Sequence, residues 1–165
     1  MEQITLVLDN IRSAYNVGAI LRSCAAFSVE NVVALGITPY PEQPNDPRLP
    51  HVSRNAHRSI AKTALGAENI VKVEHYENTH DFLQILSQPL YALEQTTSAQ
   101  PVHDFRVEPP YSLVVGNEVD GVSPQLLEAA HGHIVIPHSS AKNSLNASVA
   151  TGVALSTLYH RAQTD

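Results

Sequence analysis

Short runs of β-branched and aliphatic residues recur along the chain, and several of them are separated by segments with helical periodicity. The runs occupy residues 4–8, 32–35, 70–73, 90–93, 113–115 and 134–136. Runs that are apolar at nearly every position are typical of strands buried on both faces of a parallel sheet. The helical segments include residues 17–27, 81–87 and 124–130. This alternation predicts an α/β fold with a mostly parallel sheet flanked by helices.

Local signals mark the ends of some helices and one long loop. Ser123 is a candidate N-cap with Pro124 at the first helical position, and this helix is expected to stop near Gly132. Residues 144 to about 162 predict one long helix that is apolar nearly all round, so it must be buried in a core or an interface. Repeated prolines in residues 39–50 exclude regular structure there and predict a surface loop.

Composition limits the class of protein. The 165 residues suit one domain spanning 1–165, and a hydrophobic content of 43% is enough to build a core. The formal net charge of -6 argues against a surface that is basic overall, so an anionic partner would need a local basic patch. The lone Cys24 excludes an internal disulfide. Neither a signal peptide nor an apolar run of the ~20 residues needed to cross a bilayer is evident, so we expect a cytoplasmic protein outside the membrane.

Several common chemistries lack their sequence signals. There is no Gly-x-Gly or P-loop spacing, which removes the main signal for dinucleotide or phosphate-loop binding, and there is no Gly-x-Ser-x-Gly hydrolase motif. Among the histidines only His131 and His133 form a close pair, and a half-exposed strand edge is the favoured interpretation of that pair. We therefore expect no metal site.

Three polar constellations remain, and the first occupies residues 16–22, directly after the first strand and its loop. Asn16 is placed to cap a helix, Gly18 allows another backbone or a ligand to approach closely, and Arg22 lies six residues after Asn16. A capped helix with a solvated arginine is the alternative, and this segment taken alone favours it.

The second constellation leads from the strand at 113–115 through Gly116, Asn117 and Glu118 into a turn that ends at Ser123. Ligands of α/β proteins bind at the carboxyl ends of parallel strands, where this turn is expected to lie. A plain connection between a strand and a helix is the alternative.

The third constellation starts at Ile136, continues through the polar residues 139–143 and opens the last predicted helix with Ser144 and Asn146. Capping of that helix accounts for one of these two polar side chains but not for both.

In this order and at these separations, the three constellations resemble the motifs of the SpoU/TrmH family of RNA ribose 2'-O-methyltransferases, within the SPOUT superfamily. The resemblance covers essentially the whole chain, since residues 62–68 and 90–96 are also similar to family segments. One position departs from the pattern, because His138 stands where the family commonly has Met. The first motif begins within twenty residues of Met1, so we expect no auxiliary RNA-binding domain before it.

The resemblance implies a fold, a cofactor and an assembly. The implied fold contains a deep trefoil knot formed by the segments around Gly116 and Ile136 and by the loop to Ser144. The implied cofactor is S-adenosylmethionine, bound in the knot mainly by backbone groups near Leu93, Gly116, Ile136, Ser144 and Leu145. The implied assembly is a homodimer in which the first and last helices pack across a two-fold axis.

The resemblance also implies an activity, methylation of a ribose 2'-hydroxyl in structured RNA, with tRNA favoured over rRNA. Arg22 matches the arginine of the family motif. Because a guanidinium is always protonated, we expect it to act as an electrostatic clamp on a phosphate or a developing alkoxide. Asn16 and Asn146 would orient the ribose or the arginine, and Glu118 would hold Arg22 in place or accept the proton.

Local basic residues fit an RNA partner better than the net charge does. Arg48, Arg54, Arg58 and Lys62 fall in a stretch without Asp or Glu, which predicts a track for phosphates that Arg12 and Arg22 extend. A solvated helix face is an equally weighted alternative for this stretch.

Two other classes of function stay open. One is a non-catalytic RNA-binding dimer that retains the fold, although an inert relative has no need to keep all of the polar motifs together. The other is an α/β protein that binds a small molecule and is unrelated to RNA, which requires the three-part match to be accidental.

Overall fold

The computed structural model describes residues 1, 3–139 and 144–163, and all strands in these residues belong to one sheet. In chain order the elements are β1 (Ile4–Asp9), α1 (Ala14–Ala26), β2 (Asn31–Leu35), α2 (Pro50–Ala64), a 3-10 turn (Ala67–Asn69), β3 (Lys72–Tyr76), α3 (Thr79–Ile85), β4 (Leu90–Leu93), β5 (Gln100–Pro101), β6 (Tyr111–Val115), α4 (Pro124–Ala129), β7 (Gly132–Val135) and α5 (Ala147–Ala162). The seven strands lie in the order β3-β2-β1-β6-β4-β7-β5, and every neighbouring pair is parallel. The predicted α/β fold with a parallel sheet is confirmed.

The first strand of the chain lies inside the sheet, as the third of its seven strands. Leu6 of β1 pairs with Val32 on one side and with Leu113 on the other. Leu6 and its neighbour Val7 point to opposite faces of the sheet and both are fully buried. Because both faces are covered, nearly every position of β1 must be apolar, which is the pattern seen in the sequence.

Helices cover both faces of the sheet and bury two separate cores. On one face α1, α2 and α5 pack over β1 and β6, through residues such as Ile20, Ile60 and Leu155. On the other face α3 and α4 contribute Phe82 and Leu126 to a smaller cluster. Within the described residues no helix is both long enough and apolar enough to cross a membrane.

The start of α1 differs from the prediction at its cap. Ser13 is the N-cap, and its side chain accepts a hydrogen bond from the backbone N–H of Asn16. Asn16 therefore lies inside the first turn, and its side chain is free for other contacts. Gly18 serves close packing as predicted, and the approaching group is a helix: a Cβ atom there would lie 2.2 Å from the carbonyl oxygen of Ile60 in α2.

Three other elements depart from the sequence-based bounds. The strand predicted at 70–73 begins only at Lys72, because the 3-10 turn before it leaves Ile70 exposed. Pro50, expected in a loop, is the first residue of α2, a position where the missing N–H of proline costs nothing. The last helix begins at Ala147 rather than at Ser144. It was predicted to be buried in a core or an interface, and in the single chain its Val149 and Val153 are exposed by 52% and 40%, so the core alone does not bury it.

The implied trefoil knot involves the polar residues 140–143, which lie outside the described residues. The knot therefore stays a prediction.

Candidate functional site

A cavity of about 280 Å³ opens where β4, β6 and β7 end. Parallel strands bring their carboxyl ends to one edge of the sheet, so the segments that follow these three strands line the same space. The residues predicted to contact a cofactor all line this cavity: Leu93, Gly116, Ile136, Ser144 and Leu145. The structure brings them together, and their role in cofactor binding stays a prediction.

Gly116 is required by a close approach of two backbone segments at the wall of the cavity. A Cβ atom on Gly116 would lie 2.1 Å from both the carbonyl carbon of Gly121 and the nitrogen of Val122. Asn117 and Gly121 exchange two backbone hydrogen bonds of 3.0 Å, which close the turn between them. The carboxylate of Glu94, after β4, accepts a hydrogen bond of 2.9 Å from Val122 N–H. The turn at 117–121 is therefore fixed to the end of β4.

The same turn is tied to the end of β1. The side-chain amide of Asn117 donates to the carbonyl of Asn10 at 2.8 Å. The buried carboxylate of Asp9 accepts hydrogen bonds from Ser123 N–H at 2.6 Å and from the Asn10 side chain at 2.8 Å. Polar groups at the end of β1 thus hold this turn in place.

A chain of side-chain hydrogen bonds joins the three sequence constellations. Asn146, the N-cap of α5, donates from its amide to the Asn16 side-chain oxygen at 3.2 Å. Asn16 in turn donates to a carboxylate oxygen of Glu118 at 2.7 Å. The other oxygen of Glu118 accepts from Arg12 N–H at 3.2 Å. Because the carboxylate only accepts, the amide of Asn16 must face it with nitrogen, which fixes the orientation of Asn16.

The environment of Glu118 favours its charged form. Partial burial opposes ionisation, but hydrogen bonds from the Asn16 side chain and from the backbone, including Arg12 N–H, outweigh it and lower the pKa of Glu118. A lowered pKa makes a carboxylate a weaker base. The geometry therefore suits Glu118 to hold Asn16 rather than to accept a proton.

The expected contact between Glu118 and Arg22 is not formed. Both oxygens of Glu118 are taken by Asn16 and Arg12. Arg22 is exposed on α1, does not line the cavity, and forms no hydrogen bond or ion pair with the described part of the chain. Arg12, expected to extend the basic track, instead lies 3.5 Å from Asp120.

Arg48 differs from the other residues predicted to form a phosphate track, because its guanidinium is already paired within the fold. It forms a two-pronged ion pair with Asp46 and donates to the backbone carbonyls of Tyr40 and Pro41. It also lies 3.5 Å above the centre of the Tyr40 ring. With only 17% of its side chain exposed, Arg48 holds the loop before α2.

This ion pair predicts a loss of stability in acid. The guanidinium of Arg48 holds the pKa of Asp46 well below its usual range. A carboxyl whose pKa is lowered by folding stabilises the protein above its unfolded pKa of about 4, and that contribution disappears as the pH falls further. We expect the free energy of unfolding, measured by urea denaturation at each pH, to fall more steeply as the pH drops below about 4 for the wild type than for Asp46→Asn. The control is Asp104→Asn, which changes an exposed carboxylate and should show the same pH dependence as the wild type. Equal slopes of unfolding free energy against pH for the wild type and Asp46→Asn would contradict this assignment.

The remaining basic residues form one exposed row on α2. Arg54, Arg58 and Lys62 are spaced by four residues, so they lie on one side of the helix. The buried residues Ser53 and Ile60 occupy the opposite side. We call Arg54, Arg58 and Lys62 the basic row.

Sequence reasoning missed the roles of two residues that organise the site. Glu94 was not a predicted site residue, and Asn117 was placed in the second constellation without a role. Glu94 follows β4 directly and Asn117 follows β6 after Gly116, and these positions at strand ends were the signal that could have identified their roles. His138, the departure from the family pattern, lines the cavity and contacts the carbonyl of Ile136 at 2.8 Å. In the described ranges no group of three or more His, Cys, Asp or Glu side chains is arranged to hold a metal ion.

Comparisons with known proteins agree on one family. A model of the SpoU rRNA methylase family matches residues 3–156. The chain is 32% identical to a 23S rRNA (guanosine-2'-O-)-methyltransferase from Xanthomonas axonopodis, over 92% of this chain and 56% of that one. The crystal structure of a TrmH/SpoU tRNA modifying enzyme from A. aeolicus superposes with a TM-score of 0.80 at 25% identity, covering 99% of this chain and 77% of the other.

A further solved structure with the same fold is an rRNA methyltransferase from Sinorhizobium meliloti with AdoMet bound. It superposes with a TM-score of 0.76 at 23% identity and covers 96% of this chain and 56% of that one. The chain spans 28%, 56% and 67% of the length of three curated relatives that it matches.

Proposed function

The chain belongs to the SpoU rRNA methylase family, and we propose that it transfers a methyl group from S-adenosylmethionine to a ribose 2'-hydroxyl in structured RNA. The observation that carries the proposal is the hydrogen-bonded chain from Asn146 through Asn16 to Glu118, at the mouth of a cavity formed by the ends of parallel strands. We favour tRNA over rRNA as the substrate, although the relatives that the chain matches carry both names.

The chemistry of the cavity fits the proposed cofactor. Leu93, Ile136 and Leu145 offer apolar surface for an adenine ring, and the backbone around Gly116 offers polar groups at close range. No Lys or Arg lines the cavity in the part of the chain that is described, whereas Glu94, Glu118 and Asp120 do. An environment of carboxylates suits a ligand with a sulfonium cation. When bound, that cofactor supplies an electrophilic methyl group.

The protein must align the ribose hydroxyl with this methyl group, and rigid positioning is the contribution that the structure supports most directly. Asn16 is locked between Glu118 and Asn146, so its amide is held ready to orient the ribose. Arg22 is the free cation of the motif and serves as the clamp on a phosphate or on the developing alkoxide.

The resemblance further supports a trefoil knot and a homodimer as parts of this proposal. The knot would place the segment after Ile136 beside Gly116, where the two segments already share the cavity. The homodimer would use α1 and α5, which pack against each other, and would cover the exposed Val149 and Val153. Arg22 projects from α1, so this assembly would also bring it near a second copy. It does not line the cavity of its own chain. Sedimentation at several protein concentrations tests the dimer.

The decisive experiment is incubation with radiolabelled S-adenosylmethionine and separate tRNA and rRNA fractions, followed by nucleoside analysis. The proposal requires label in a 2'-O-methylated nucleoside of at least one fraction. Binding of RNA without transfer would support the non-catalytic alternative, and binding of neither RNA nor cofactor would exclude both readings.

The basic row predicts a salt-dependent contact with RNA. Replacing Arg54 and Arg58 together by Ala should weaken RNA binding and reduce the slope of log affinity against log salt by about 0.7–0.9 for each lost phosphate contact. Cofactor affinity should not change. The matched control is Lys72→Ala, which removes an exposed lysine at the edge of the sheet. Equal slopes of log affinity against log salt for the wild type and the double variant would show that the RNA binds at another surface.

A further inference from the structure

Tyr15 differs from every other aromatic residue of the chain in its surroundings. Each of the other Phe and Tyr rings packs against another aromatic ring, whereas Tyr15 has no ring partner among the described residues. It is 50% exposed and is the only aromatic among the large apolar side chains that are exposed in the described ranges. Packing within the fold therefore does not explain a tyrosine at this position.

The position of Tyr15 links the basic row to the candidate site. It precedes Asn16 in the first turn of α1, and its carbonyl accepts a hydrogen bond of 2.8 Å from the Thr63 hydroxyl in α2. Lys62, the last member of the basic row, lies 3.5 Å from the phenol oxygen and 5.8 Å from the ring centre. The order along this surface is Arg54, Arg58, Lys62 and then Tyr15, with Asn16 beyond it.

We propose that Tyr15 contacts the RNA by stacking against an unpaired nucleobase next to the nucleotide that is methylated. This inference rests on the proposed function. A basic surface that ends in an exposed aromatic ring has the two elements that single-stranded RNA requires, cations for the phosphates and a flat apolar face for a base. Every base has such a face, so stacking positions the strand without selecting its sequence. Lys62 beside the ring is placed to bind the phosphate of the stacked nucleotide.

A single tryptophan tests the contact directly, because the chain contains no tryptophan. Tyr15→Trp places an indole at the proposed contact, and Ile85→Trp places one at an exposed position on the opposite face of the sheet. Titration with unfractionated tRNA, and in parallel with rRNA, should quench the fluorescence of the first variant with saturation and leave the second unchanged. Equal quenching of the two variants, or none at position 15, would overturn the proposal.

Two substitutions separate stacking from other roles of the side chain. Tyr15→Phe keeps the ring and should bind RNA as the wild type does, whereas Tyr15→Leu should bind about tenfold more weakly, within the range for loss of one stacked base. S-adenosylmethionine affinity by calorimetry and the melting temperature should be the same in all variants. Equal RNA affinity of the Leu and Phe variants, or a changed oligomeric state of the Leu variant, would overturn the assignment. A wild-type protein that binds no RNA would remove the proposed function itself, whereas normal RNA methylation by Tyr15→Leu would remove only this inference.

Discussion

Replacing Arg22 by Ala is expected to slow methyl transfer to RNA by at least about a hundredfold, a loss typical of removing one group that stabilises developing charge. S-adenosylmethionine affinity should not change, because Arg22 does not line the cavity. Arg22→Lys should also transfer the methyl group slowly if the planar fork of the guanidinium is needed, since lysine supplies only a point charge. Single-turnover kinetics with saturating cofactor, together with calorimetry, measure the two effects separately.

The matched control for Arg22 is Arg106→Ala. Arg106 is also exposed, and within the described residues its guanidinium bonds only to nearby backbone carbonyls such as that of His103 at 2.9 Å. This control removes one positive charge from the surface without touching the motif. Near-normal turnover in Arg22→Ala, or an equal loss in both variants, would refute the specific role of Arg22.

Gly116→Ala is expected to have the largest effect on the cofactor site. The added methyl group would overlap the backbone of Gly121 and Val122 at 2.1 Å, and no change of rotamer relieves a clash between backbone segments. We expect a destabilisation of about 3 kcal/mol, the upper end for overpacking, and a melting temperature lower by about 6–12 °C. S-adenosylmethionine affinity should fall at least about tenfold, because the turn at 117–121 lines the cavity.

Gly132→Ala is the control for an added methyl group. A Cβ at Gly132 would lie 3.4 Å from the edge of the Tyr91 ring, which is an ordinary contact distance. The variant should keep its cofactor affinity and change stability by no more than about 1 kcal/mol. A Gly116→Ala protein that binds S-adenosylmethionine normally would show that this turn is not part of the cofactor site.

Much of the fold was predictable because burial on both faces of the sheet leaves a direct mark on the sequence. The strand at 90–93 was predicted with its observed bounds, and β1, β2 and β6 were placed within a few residues. The two-residue β5 carries no such mark, because its pairing with β7 depends on the position of the neighbouring strand rather than on its own residues. The bounds of α2 were missed because an amphipathic helix rich in charge resembles a solvated segment.

The candidate site was predictable in its members but not in all of its contacts. The three constellations meet as expected, through Asn16, Glu118 and Asn146. Arg22 was the expected partner of Glu118, whereas Asn16 is the observed one. The spacing of residues along one helix does not show which side chain faces a turn more than a hundred residues away. The ion pair of Arg48 could not be predicted for a similar reason: its charge is visible in the sequence, but its pairing with Asp46 depends on the path of the loop.

The hydrogen bonds of Asn16 also bear on how the protein is made. Its partners Glu118 and Asn146 lie 102 and 130 residues away along the chain. The pairing of β1 with β6 also joins distant parts of the chain, since Leu6 pairs with Leu113. Contacts of such sequence separation slow folding, because a long loop must close before they form. On the ribosome the side chains of the candidate site therefore cannot meet until the start of α5 has emerged, so the site forms only when nearly the whole chain has been made.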